Sequence, residues 1–342
     1  MSEHHLLEVK DLSTHFFTHA GVVKAVNGVS FTLDRKQTLG IVGESGSGKT
    51  VAALSLMRLI PDPPGKVVEG SLMLGDRDLR ALTDDEMRKV RGNDIAMIFQ
   101  DPMTSLNPVV KVGKQIAEAI ILHQDKSKGE AWRMAAELLD RVGIPDAERR
   151  VNQYPFEFSG GMRQRAMIAM AISCNPDILI ADEPTTALDV TIQAQIIDVI
   201  EEMQQRYESG VFLITHDLGV VAEIADKVMV MYGGRTVEYG GIDEIFYNPH
   251  HPYTWGLLGS LPRLDEVEKT RLTPIKGQPP DLIALPSGCP FVGRCSYERP
   301  ECRDRWPRLE IVGPEHGVNC WIPEAERRET RASLPHFQAY VR

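Results

Sequence analysis

The stretch Gly43-Glu44-Ser45-Gly46-Ser47-Gly48-Lys49-Thr50 constrains this chain most. It fits G-x-x-x-x-G-K-[ST] and lies between an apolar run, 38–42, and a helix-forming stretch, 51–59. In that setting glycines let successive backbone N–H groups turn inward around a polyphosphate, at a helix N-terminus whose dipole favours negative charge. The Lys49 ammonium is then placed to reach the outer phosphates. The Thr50 hydroxyl is placed to ligate Mg²⁺, a hard cation that takes oxygen ligands. A Gly/Ser-rich loop can match such a pattern by chance, so the reading needs support from further along the chain.

At 342 residues the chain has room for one large domain and a smaller one. No segment reaches the roughly 18 to 20 apolar residues of a membrane span. The best stretch, 167–181, is broken by Asn175-Pro176-Asp177. The opening Met-Ser-Glu-His-His lacks the basic and apolar parts of a secretory signal, so a cytosolic protein is expected. The net charge of 38 − 48 = −10 argues against nucleic acid as the main partner, because binding to a phosphate backbone is driven by Lys and Arg.

Residues 6–9 and 29–33 are predicted strands of an antiparallel β region, separated by turn residues such as Gly21 and Asn27-Gly28. Phe16 and Phe17 in this region fit either a stack on adenine or the core of the sheet. Short strands are expected at 70–74 and 95–99, the second ending at Gln100. Helical periodicity at 112–123 and 130–142 predicts a helical insert over about 101–165, a surface suited to a partner. Helices at 161–174, 191–207 and 218–225 then alternate with strands at 178–181 and 211–214, before a hairpin, 227–232 and 235–239, around Gly233-Gly234. Such alternation implies a largely parallel sheet covered on both faces. Near residue 250 the composition turns rich in Pro, Arg and Cys, which divides the chain into a nucleotide-binding domain, 1–249, and a small C-terminal domain, 250–342.

Downstream features match a phosphate site. Asp182 and Glu183 end a buried strand, where ligands bind in open α/β sheets. Asp182 is suited to hold Mg²⁺, and Glu183 to orient and deprotonate an attacking water. His216, after the strand at 211–214, is placed to reach a γ-phosphate. Ser159-Gly160-Gly161 is a second glycine turn at a helix start, and one nucleotide does not need two such cradles from one chain. The surplus suggests that the second cradle serves the nucleotide of a partner molecule. Of the five cysteines, Cys174 reads as a buried small hydrophobe. Cys289, Cys295, Cys302 and Cys320 are spaced C-x5-C-x6-C-x17-C, which is neither the paired C-x2-C of most zinc sites nor the common ferredoxin run. A tetrathiolate metal site and free thiols both remain open on spacing alone.

Taken together, these motifs resemble the ATP-binding cassette (ABC) proteins of the transporter superfamily, across roughly residues 6–245. Gly43–Thr50 resembles Walker A, Gln100 the Q-loop, 158–164 the signature, 178–183 Walker B, 186–189 with Asp189 the D-loop, and His216 the switch histidine. Phe158 and Met162 depart from the usual Leu and Gln of the signature. The run 99–108, His251-Pro252-Tyr253-Thr254 and the cysteine tail are similar, more narrowly, to the dipeptide/oligopeptide (and nickel) importer ATPases. The resemblance implies an α/β P-loop NTPase core with an antiparallel β subdomain, a helical subdomain and a Cys-rich C-terminal domain. It implies an ATPase that binds ATP and Mg²⁺, with Thr50, Gln100 and Asp182 at the metal and a [4Fe-4S] cluster on Cys289, Cys295, Cys302 and Cys320. It further implies a second ABC ATPase subunit, two integral-membrane permeases and an extracytoplasmic substrate-binding protein, at the cytoplasmic face of the cell membrane. The competing expectation is a cassette ATPase without a permease, acting in iron–sulfur handling or repair.

Overall fold

The computed structural model describes residues 5–101, 105–185, 190–260, 275–334 and 337, and every structural statement here concerns these. β1 (Leu7–Thr18) and β2 (Gly21–Leu33) form a hairpin, β3 (Thr38–Val42) enters the glycine loop and α1 (Lys49–Leu56) leaves it. Next come β4 (Gly65–Leu74), β5 (Arg77–Asp78), α2 (Asp84–Val90) and β6 (Ile95–Ile98). Four helices follow: α3 (Val112–Gln124), α4 (Lys128–Arg141), α5 (Ala147–Arg150) and α6 (Gly160–Ala171). β7 (Ile178–Asp182), α7 (Val190–Tyr207), β8 (Gly210–Ile214) and α8 (Leu218–Ile224) restore the alternation. The remainder holds β9 (Lys227–Tyr232), β10 (Arg235–Gly241), α9 (Ile242–Tyr247), α10 (Pro252–Gly259), α11 (Glu301–Asp304), β11 (Glu310–Gly313), β12 (His316–Val318) and α12 (Glu324–Ser333).

These elements fall into two compact units, of which the first comprises Met1–Leu7, Thr32–Thr38 and Met73–Ile214. Its β6, β7 and β8 run parallel, with Ile95 opposite Ile178 and Ile178 opposite Gly210. Every residue of the three strands is buried, which is why they read as unbroken apolar runs rather than as alternation. The helices expected at 112–123 and 130–142 appear as α3 and α4, within two residues of those bounds. α3 stops at Asp125, which adopts a left-handed conformation, and α4 starts with a capping box in which Ser127 and Glu130 satisfy each other's backbone N–H. The start of α3 is tied to the chain ahead of α6, with the Val112 N–H donating to the Gln153 carbonyl at 2.9 Å. The expected helix 161–174 is shorter as an α-helix, because residues 172–174 tighten into a 3₁₀ turn before the left-handed Asn175.

The second unit comprises Glu8–Phe31, Leu39–Leu72 and Thr215–Arg342. β1 lies between β2 and β4, and β1 and β2 are much longer than the segments 6–9 and 29–33 suggested. Their middle carries polar residues that the fold buries, such as Thr14, whose hydroxyl lies 2.7 Å from that of Ser55. β3 pairs parallel with β9, and β9 antiparallel with β10. The tail continues this sheet: β12 pairs with β10, placing Val318 opposite Glu238, and β11 pairs with β12. Tyr253, Cys289, Phe291 and Cys302 share one buried cluster with Val228, Val230 and Val237. The separate Cys-rich domain expected beyond residue 250 is therefore not found as a compact unit of its own. A segment with so few apolar residues gains a core by sharing its neighbour's.

Candidate active site

In the second unit, β3 delivers Gly43 to a tight loop and α1 begins at Lys49 with Gly48 as its cap. Two of the glycines are required by space as well as conformation. Gly43 and Gly48 have φ values of 152° and 102°, and a Cβ on either would lie 2.2 Å from a carbonyl oxygen, that of Met231 or of Ala25 respectively. The loop is also tied to the β9–β10 turn, where the Gly234 N–H donates to the Ser47 carbonyl at 3.0 Å. Lys49 is buried, and its ammonium donates to the carbonyls of Gly43 (2.7 Å) and Glu44 (3.0 Å). Thr50 follows it on the first turn of α1, where the backbone amides carry the helix's positive end. His216 is exposed, two residues beyond the end of β8. The preceding residue, Thr215, is buried and donates its N–H to the Ile41 carbonyl of β3 at 3.5 Å. Phe16 packs against Gly65, whereas Phe17 is largely exposed.

In the first unit, β7 ends on Asp182, which is buried, and Glu183. Glu183 has a left-handed φ of 49°, a conformation that costs a non-glycine residue about 1–3 kcal/mol. Its N–H is anchored on the Ile214 carbonyl at 2.8 Å, and its carboxylate accepts from the Gln100 side-chain amide at 2.9 Å. Two residues 83 positions apart, both singled out from sequence, are thus brought into direct contact. Ser159 caps α6 by accepting the Met162 N–H, and it and Gly160 face solvent. A Cβ on Gly160 would meet nothing within 4 Å, leaving open space over this turn. Gln164, which the sequence placed in the signature run without a role of its own, is buried and donates at 2.6 Å to the carbonyl of Pro184, locking α6 to the residue after Glu183. Asp189 lies outside the described residues.

The tail adds two clusters. Glu238, fully buried on β10, accepts from the N–H groups of His250 (2.6 Å) and His251 (2.9 Å) and from Thr254 Oγ1 (2.6 Å), and lies 2.9 Å from His316 Nε2. Burial raises its carboxyl pKa, but these hydrogen bonds, led by His316, outweigh that and hold it below the ordinary range. Burial also pushes His250 and His251 down to about 4, so both rings are neutral at pH 7. The His-His-Pro-Tyr-Thr run is therefore a fastening between the tail and the β9–β10 hairpin. Separately, Cys289, Cys295, Cys302 and Cys320 line one small cavity, walled by Phe291 and Trp321 among others. Burial pushes the thiols of Cys289 and Cys295 up to about 12 and that of Cys320 to about 11, so a cation is needed to draw them into thiolate form at neutral pH. Among the described residues, no three His, Cys, Asp or Glu side chains are grouped so as to hold a metal ion, and the expected metal-binding assignment is unsupported to that extent.

Comparison with known proteins defines the class. Residues 26–186 match the ABC transporter family, and 237–302 match the oligopeptide/dipeptide transporter C-terminal region. The chain is similar in fold to the dimeric ATP-binding cassette MJ0796 bound to ADP and Pi, with a TM-score of 0.63 and 25% identity over 69% of this chain and 98% of that one. It is 54% identical to the oligopeptide transport ATP-binding protein OppD of Bacillus subtilis, over 95% of this chain and 91% of that protein. It is 53% identical to the dipeptide transport ATP-binding protein DppD of the same organism, over 93% and 95% respectively. The chain belongs to the ABC transporter family of ATPases, in its oligopeptide/dipeptide transporter branch. These relatives give no support to the permease-free, iron–sulfur-handling expectation.

Proposed function

We propose that this chain is the ATP-hydrolysing subunit of an importer of di- or oligopeptides or related small solutes. The observation that carries the hydrolytic reading is the Gln100–Glu183 contact at the end of β7, beside the buried Asp182. In this reading the 43–50 loop cradles the ATP phosphates, with Lys49 neutralising the outer two. Thr50, Gln100 and Asp182 hold Mg²⁺. Glu183, aimed by Gln100, takes a proton from the water that attacks the γ-phosphorus as the bond from that phosphorus to the β-phosphate oxygen breaks and ADP leaves, and His216 steadies the γ-phosphate. Ser159, Gly160 and Gly161 close over the nucleotide of a second ATPase subunit, and Asp189 belongs to the same interface. The exposure of the α6 N-terminal turn and the dimeric state named for the MJ0796 cassette support that arrangement.

Import needs a membrane partner, since among the described residues no helix is long and apolar enough to cross a bilayer. The helical insert has the character of a docking surface. Val109, 78% exposed, and Phe156, 68% exposed, flank the contact between the start of α3 and residues 151–153. In this reading one of the two permease subunits docks on this insert, and with an external binding protein that selects the solute the ATPase sits at the inner face of the membrane. Pull-down of the tagged chain from its native membranes in mild detergent tests this reading. Two multi-span permeases and a second ATPase are expected in the eluate; recovery of the chain with no membrane protein would count against it.

The cysteine cavity belongs in the same proposal as a [4Fe-4S] site. What supports this reading is that Cys289, Cys295, Cys302 and Cys320 line one cavity; a cluster, which gives each thiolate its own iron, asks less convergence of four sulfurs than a single zinc ion, which draws all of them onto one centre. When bound, the cluster supplies a cross-link that joins residues 289–320 and a potential redox centre. Anaerobically purified protein is expected to be coloured and to hold stoichiometric iron and sulfide, and Cys302→Ser to lose all three. Colourless wild-type protein with stoichiometric zinc would refute the assignment.

A further inference from the structure

Glu44, the first variable residue of the phosphate loop, is gripped on every polar group by a different partner. Its N–H donates to the Tyr253 hydroxyl oxygen at 2.7 Å, and its carbonyl accepts from Lys49 Nζ at 3.0 Å. Its carboxylate takes both arms of Arg294, Nη1 to Oε2 at 2.5 Å and Nη2 to Oε1 at 3.0 Å. The side chain of Arg294 is 7% exposed and that of Glu44 27%. Arg294 is in turn fixed by bonds to the Lys276 carbonyl (2.8 Å) and the Tyr232 hydroxyl (2.9 Å), so its fork is presented rigidly. Tyr232, Tyr253 and Phe291 pack ring against ring beneath it. All of these residues belong to the second unit, so the geometry is internal to one compact body.

Two physical consequences follow. A carboxylate next to a loop that must receive a polyphosphate repels it unless neutralised, and Arg294 neutralises it at bidentate range. The loop also has to hold a conformation in which Gly43 abuts the Met231 carbonyl, and the Tyr253 and Arg294 contacts fasten the residue immediately after that hinge. We infer that Arg294 and Tyr253, both from the tail, are positioning residues for ATP binding, with Glu44 as the point they hold. The inference rests on the reading of 43–50 as the phosphate loop. Arg294 directly precedes Cys295, so the grip is built on the wall of the cysteine cavity.

The test is equilibrium titration of the full chain with MgATP, alongside kcat at saturating ATP and thermal melting. Arg294→Ala is expected to raise the Kd about tenfold, with kcat at saturation little changed. Arg294→Lys, which keeps the charge but loses the fork, should fall between. The decisive readout is Glu44→Gln: in that background Arg294→Ala should have little further effect, because no carboxylate is left to neutralise. Tyr253→Phe, which leaves the Glu44 N–H without its acceptor, should weaken binding severalfold. If Arg294→Ala fails to fold, Arg294→Lys and Tyr253→Phe decide, and wild-type affinity in both overturns the inference. An Arg294→Ala effect that persists undiminished with Glu44→Gln overturns it as well. Lys49→Ala is the control: if that variant binds normally, the phosphate-loop reading itself has failed, whereas weak binding there with normal binding in Arg294→Ala refutes the positioning role alone.

Discussion

Glu183→Gln is expected to lower ATP turnover by about 10²–10⁴-fold while leaving nucleotide binding intact. The substitution removes one proton-accepting oxygen and little else. The Gln100 amide retains an acceptor in the carbonyl oxygen of the new side-chain amide, the backbone N–H still reaches the Ile214 carbonyl, and the left-handed φ of 49° is tolerated or refused alike by the two side chains. A loss of turnover with unchanged affinity therefore reports on the carboxylate as a base. Steady-state hydrolysis measured beside an ATP titration checks this, and unchanged hydrolysis would remove Glu183 from the mechanism.

Lys49→Ala acts on the other side of the reaction. The ammonium is buried and held by the Gly43 and Glu44 carbonyls, and nothing else in the 43–50 stretch carries positive charge. Its loss should weaken MgATP binding by about 10- to 100-fold, the range expected for charge-assisted hydrogen bonds to phosphate. Turnover at accessible ATP concentrations should fall with it. The two variants separate binding from chemistry: Lys49→Ala fails in titration, Glu183→Gln only in catalysis. Normal affinity in Lys49→Ala would mean that the phosphates are held elsewhere.

Much of this is legible in the sequence because the determinants are local. The glycine loop announces itself within eight residues, and the runs 178–181 and 211–214 are apolar throughout because both faces of those strands are buried. The insert helices carry a clear helical period, and their caps lie at the residues where the pattern stops. What the sequence hides is long-range. The length of β1 and β2 is masked by polar residues such as Thr14, whose partner Ser55 lies 41 positions away. α2, with its Thr83–Glu86 capping box, is too short to show a period between two strands. The composition change near residue 250 suggests a boundary, yet Glu238 binds His316 across 78 positions and Glu44 binds Arg294 across 250. No local pattern shows that a carboxylate in a phosphate loop has its counter-ion in a cysteine-rich tail. The His-His-Pro-Tyr-Thr run stands out as a motif, but its role as a fastening around a buried glutamate needs the structure.

The central claim is that hydrolysis by this chain drives solute import. The most direct test is uptake of a labelled dipeptide into proteoliposomes that contain the permeases and both ATPase subunits, with MgATP trapped inside and the binding protein outside. Uptake that requires ATP and disappears when the wild-type chain is replaced by Glu183→Gln is the predicted result. Uptake that proceeds equally well with Glu183→Gln, or no ATP-dependent uptake of any peptide by a complex that hydrolyses ATP, would contradict the account.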